Sequence, residues 1–77
     1  MVAKTKFCDF VPKNQYTLFT KNIVQTFIVH KIIKNKKNLV ITLESVNPEK
    51  PLPLEIGDKV TIKGIYVFTY GSIINLF

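Results

Sequence analysis

A chain of 77 residues with one cysteine and one histidine can form no internal disulfide and no histidine–cysteine metal cluster. Its stability must come from one small, tightly packed core, from self-association or from docking on a larger partner. All eleven basic residues are lysine against five carboxylates, a net charge of +6, and a field of that sign attracts polyanions.

The missing arginine removes the bidentate fork that reads guanine edges or clamps a phosphate. Lysine supplies point charges, which favour tolerant contact with a phosphate backbone. The same lysines would also keep a β protein in solution and guard its edges. The N-terminal stretch MVAKTKFCDF lacks the unbroken apolar segment of a secretory signal. Lone Cys8 points to a reducing compartment, and no apolar run is long enough to span a membrane. An intracellular, non-membrane protein is expected.

In chain order, Phe7 to Val11 reads as a short strand ended by Pro12, Lys13-Asn14-Gln15 as a turn, and Tyr16 to Phe19 as a second extended segment. Asn22 to Lys34, NIVQTFIVHKIIK, is rich in the β-branched and aromatic residues that suit a pleated surface. Its alternation is imperfect. Ile23, Phe27, Val29 and Ile33 fit one face and Val24, Ile28 and Ile32 the other, which predicts a strand that bends or carries a bulge. Lys34 to Asn38 is a polar turn, and in Leu39 to Val46 the residues Leu39, Ile41 and Leu43 form the core face. Together these segments predict a β-hairpin with a cationic tip.

Asn47 to Glu55 carries Pro48, Pro51 and Pro53 and is a connection, because proline cannot donate to a sheet ladder. Gly57-Asp58 opens a turn into a strand over Lys59–Tyr70, and Gly71 a turn into Ser72–Phe77. The sum is an all-β chain of five or six strands with little or no helix, for which closure into a small barrel removes exposed edges.

The run PLEIGDKVTIKGIYVFTYGSIINLF resembles the C-terminal half of an oligonucleotide/oligosaccharide-binding (OB) domain. The residues that carry the likeness are Gly57, Asp58, Lys59, Val60, Ile62 and Gly64, then Gly71, Ile73, Ile74 and Leu76. TFIVHKIIKNKKNLVITLES resembles the first hairpin of the same family. The likeness covers roughly residues 20–77, leaving 1–20 as an extension or extra strand on a single domain. It implies a small OB-like barrel similar to single-stranded DNA-binding proteins. The three prolines stand where many OB domains place a helix, so that helix is expected to be absent. No counterpart of the acidic, partner-recruiting tip of bacterial single-strand binders is expected.

Tyr66, Phe68 and Tyr70 recur every second residue. If Gly64 marks a bulge, Ile65 and Val67 turn inward and the three rings face out, where bases can stack on them. If the strand runs straight, they are core. Lys31, Lys34, Lys36 and Lys37 would grip phosphate from the first hairpin tip, or simply be a solvated turn. Lys59 and Lys63 share an outer strand face. Tyr16 and Phe19 either stack on a base or staple the N-terminal segment to the barrel, the staple being the expectation; Phe27 is expected to be core, His30 an ordinary surface or half-buried histidine, and Cys8 a structural thiol. No triad, metal spacing or phosphate-cradling glycine loop can be composed, so no catalytic residue, metal or cofactor is expected.

The expected function is binding of single-stranded nucleic acid with little sequence preference, DNA before RNA, in replication, repair or recombination. The chain would act as a homodimer or as a subunit of a replication complex. The competing expectation is a protein–protein module that docks through the aromatic strand and the apolar C-terminal strand.

Overall fold

The computed structural model describes residues 1–21, 23–46 and 54–76. Among them are six strands and no helix: β1 (Val2–Thr5), β2 (Gln15–Thr20), β3 (Ile23–Lys34), β4 (Leu39–Ser45), β5 (Lys59–Lys63) and β6 (Phe68–Asn75). They close into a barrel in the order β1-β4-β3-β2-β5-β6, and every neighbouring pair is antiparallel. The meander β2-β3-β4 followed by β5 returning beside β2 is a Greek key. β1 fills the remaining gap between β4 and β6, so no ladder is left open.

Period-two alternation builds the core. Leu39, Ile41 and Leu43 of β4 point inward as expected, as do Tyr16 and Leu18 of β2, Phe27 and Val29 of β3, and Val60 and Ile62 of β5. Tyr16 ties down the N-terminal segment. Its hydroxyl accepts the Val11 N–H at 2.7 Å, and its ring meets that of Phe10 edge-on at 5.0 Å. Phe10 thereby plugs the barrel end from irregular chain. At the opposite end the Thr20 hydroxyl donates to the Lys59 carbonyl at 2.7 Å, joining β2 to β5.

The long strand β3 carries the bulge its mixed alternation implied. Pairing with β4 shifts register between Val29 and Lys31, leaving His30 as the extra residue. The faces reverse there: Ile32 packs on the core, while Ile33, expected on the face of Phe27 and Val29, is exposed.

The second hairpin departs from expectation. One strand over Lys59–Tyr70 with a turn at Gly71 is replaced by β5, a tight turn over 64–67 and β6. The Gly64 N–H donates to the Val67 carbonyl at 2.7 Å. Gly71 lies inside β6, opposite Thr5 of β1. The reversal of faces expected from a bulge at Gly64 comes instead from this turn. Val67 is buried, but Ile65, which a bulge at Gly64 would have turned inward, stands at the tip and is 91% exposed. The expected strand over Phe7–Val11 is likewise irregular chain, and the pairing segment lies earlier at β1, where Ala3 and Thr5 point inward, Lys4 points outward, and Lys6 follows exposed just past the strand end. The Gly57-Asp58 turn is present. Gly57 takes φ 95°, and Asp58 holds the corner by accepting the Glu55 N–H at 2.9 Å through its carboxylate. The proline-bearing stretch 47–53 lies outside the described residues.

Candidate nucleic-acid interface

Three strands, β2, β5 and β6, carry the aromatic face, and their registers set its rows. Directly paired residues share a sheet face. Phe19 pairs with Thr61 and Thr61 with Tyr70, so two rings flank a small side chain in one row. By strand spacing their backbones stand roughly 10 Å apart. In the next row Thr17 pairs with Lys63 and Lys63 with Phe68. A third row runs from Lys59 to Ser72 of β6 and on to Lys4 of β1.

The rings expected to be either core or platform are exposed, Tyr66 by 97%, Phe68 by 67% and Tyr70 by 57%. Their inward neighbours Val67 and Thr69 take the core positions, and the Thr69 hydroxyl donates to the Lys6 carbonyl at 3.2 Å. Tyr66 stands at the turn tip, beyond the two strand-borne rings.

The lysines of the first hairpin do not form one cluster. Lys37 reaches a notch of about 330 Å³ that it shares with Lys4, Lys6, Asn38, Tyr70 and Ser72. Lys34 turns the other way, its ammonium 5.8 Å from the centre of the Phe7 ring. Lys36 stays at the exposed tip. Lys31 pairs with Thr42, on a row that runs through Val2 and meets β6 only at its last residue, Asn75, beyond the rings at 68 and 70. Lys59 and Lys63 lie on the aromatic face as expected.

Two contributors, Lys4 and Lys6, escaped the sequence reading, and a third was assigned the other of its two roles. Phe19, expected to staple the N-terminal segment, is on the outside at 38% exposure, and Tyr16 alone does the stapling. The pattern QYTLFT already carried that signal, since Tyr16 and Leu18 inward puts Phe19 outward. Lys4 and Lys6 alternate with Ala3 and Thr5 in the same way, but only the position of β1 beside β6 brings them to Tyr70. There the Lys6 N–H donates to the Tyr70 carbonyl at 3.1 Å.

The field over this face is positive. Asp58 pairs with Lys21 at 3.3 Å, and Glu44 pairs with His30 on the far side. Among the described residues no carboxylate pairs with Lys4, Lys6, Lys37, Lys59 or Lys63. Cys8 is half-buried against the core. Burial pushes its thiol up from the ordinary range, an effect that a hydrogen bond with Thr69 partly offsets. Among the described residues no three His, Cys, Asp or Glu side chains group as metal ligands, and no helix is long and apolar enough to cross a membrane.

No family model, curated protein or solved structure matches the chain.

Proposed function

We propose that the chain is an OB-like barrel that binds single-stranded nucleic acid, DNA in the first place, with little sequence preference. The observation that carries this reading is the alternation of exposed rings and lysines on one face: Phe19, Phe68 and Tyr70 with Lys59 and Lys63 between and beside them. Every base has a flat π surface, so stacking contributes about 1–3 kcal/mol per base whatever its identity. Lysines beside the rings neutralise phosphates and release counterions. With no arginine in the chain, bidentate base readout plays no part.

The topology supports the OB comparison. Without β1, the strands β2 to β6 are five in number and in Greek-key order, as in OB barrels. The usual OB binding surface centres on the second and third strands, which here are β3 and β4, together with the loop between the fourth and fifth. That loop corresponds to the turn bearing Tyr66, while the aromatic rows lie on other strands. The proposal therefore rests on the side chains and not on fold analogy. A role in replication, repair or recombination follows from the ligand.

Titration of fluorescein-labelled oligo-dT at several salt concentrations tests the reading, with unlabelled RNA of matching base sequence as competitor. Saturable binding that weakens with salt is expected, with DNA the stronger ligand. No binding at low salt rejects the reading in favour of a protein-docking module, and stronger competition by RNA moves the ligand class to RNA.

A further inference from the structure

We propose that the notch between the β3–β4 hairpin tip and β1 holds the phosphate of a nucleotide whose base lies on Tyr70. This deepens the nucleic-acid reading and rests on it.

Three cations converge on the notch from two elements. Lys4 on the outer face of β1 and Lys6 just past its end stand two residues apart, roughly 7 Å by strand rise. Lys37 comes from the hairpin tip, Tyr70 forms the β6 side, and Ser72 and Asn38 add polar hydrogen-bonding groups. Among the described residues no carboxylate lines the notch. A cavity of about 420 Å³ beside Gly64 and Ile65 is also lined by no carboxylate among the described residues, but only one lysine, Lys63, reaches it. Two further cavities are acidic. The cleft of about 620 Å³ beneath Ile65 and Tyr66 and the cavity beside Phe7 and Lys34 both include Asp9, which repels an anion. A volume of about 330 Å³ corresponds to roughly ten waters and accommodates a phosphate with its sugar.

The position of the notch is a product of glycine. Gly71 sits between Tyr70 and Ser72 where the Lys4 backbone passes, and the absence of a side chain lets β1 close against β6. A larger residue would carry Lys4 and Lys6 away from the ring.

The test follows lysine side-chain CH₂ and Tyr70 ring NMR signals during titration with thymidine 5′-monophosphate, thymidine and inorganic phosphate. The monophosphate is expected to move Lys4, Lys6, Lys37 and Tyr70 together. Thymidine should move at most the ring, phosphate the lysines, and none of them Lys31. Lys37→Gln is expected to weaken the monophosphate about two- to five-fold. The proposal is overturned if the monophosphate leaves these lysines unmoved, or moves Lys31 and Lys13 as much. A chain that binds oligo-dT with a silent notch overturns this proposal alone. A chain that binds the monophosphate in the notch but no oligonucleotide overturns the broader reading alone. Comparison of dT₁₀ with and without a 5′-phosphate then identifies the source: tighter binding of the phosphorylated strand assigns the notch to a strand end, equal binding to an internal phosphate.

Discussion

Gly71 of β6 lies so close to the Lys4 carbonyl of β1 that a Cβ at position 71 would overlap that oxygen and stand 2.7 Å from the Thr5 Cα. Both contacts are with backbone, which cannot swing aside as a flexible side chain would. The closure of the barrel and the position of the cationic notch therefore depend on one missing methyl group.

Gly71→Ala is expected to lower stability by about 1–3 kcal/mol, the usual range for overpacking a rigid site. Urea unfolding followed by far-UV circular dichroism measures this. An unchanged midpoint would mean that β1 is not held against β6 as described.

Tyr70→Ala and Phe68→Ala are each expected to weaken oligo-dT binding by about 1–3 kcal/mol. Both rings are largely exposed, so unfolding midpoints should stay within about 0.5 kcal/mol of the parent. Fluorescence titration with parallel denaturation reads both. Binding that survives both changes would remove the stacking mechanism even if nucleic acid remains the ligand.

The lysines can be sorted by salt dependence. For a single strand each neutralised phosphate contributes about −0.7 to the slope of log K against log salt. Lys59→Gln and Lys63→Gln are expected to flatten that slope. Lys31→Gln, on the row through Thr42, is expected to leave it alone. Equal effects at all three positions would indicate diffuse charge attraction and no defined face.

Tyr16→Phe deletes the hydroxyl that accepts the Val11 N–H at 2.7 Å. A cost of about 1 kcal/mol in denaturant unfolding is expected, since the donor loses its partner. Gly64→Ala should cost more, because its Cβ would come within 2.7 Å of the buried Tyr16 ring. A Gly64→Ala protein as stable as the parent would show that this ring can shift, and that the plug with Phe10 is loose.

Burial raises the Cys8 thiol above its ordinary value, with Thr69 pulling weakly the other way. The folded state then holds the thiol proton to higher pH than the unfolded state. Its contribution to stability is complete below the ordinary thiol pKa and falls away as pH climbs past it. Cys8→Ser is expected to reduce the alkaline loss of stability in urea titrations between pH 7 and 10. Iodoacetamide should alkylate native Cys8 more slowly than the urea-unfolded chain, and equal rates would contradict the half-buried environment.

The candidate face was partly legible residue by residue. The spacing of Tyr66, Phe68 and Tyr70 showed that the rings share a side but left open which side. The lysines of the first hairpin looked like one cluster because they are close in sequence. The bulge at His30 turns the strand, and the tip then splits Lys37 from Lys34 and Lys31. Phe19 was legible in its alternation with Tyr16 and Leu18 but was passed over as a staple.

What the amino-acid sequence determined by itself was local: β-branched and aromatic residues with period-two alternation specified strands, and proline and lysine-asparagine runs specified their breaks. These preferences act between neighbours along the chain, so the all-β class and the core face of β4 could be read directly. Where β1 pairs, and hence what Gly71 is for, was decided only by tertiary structure. A glycine before an apolar run reads as a turn until a strand from the other end of the chain is seen lying against it. The outward direction of Phe68 and Tyr70 follows from the turn over 64–67, which leads into β6 with Val67 and Thr69 on the inner face.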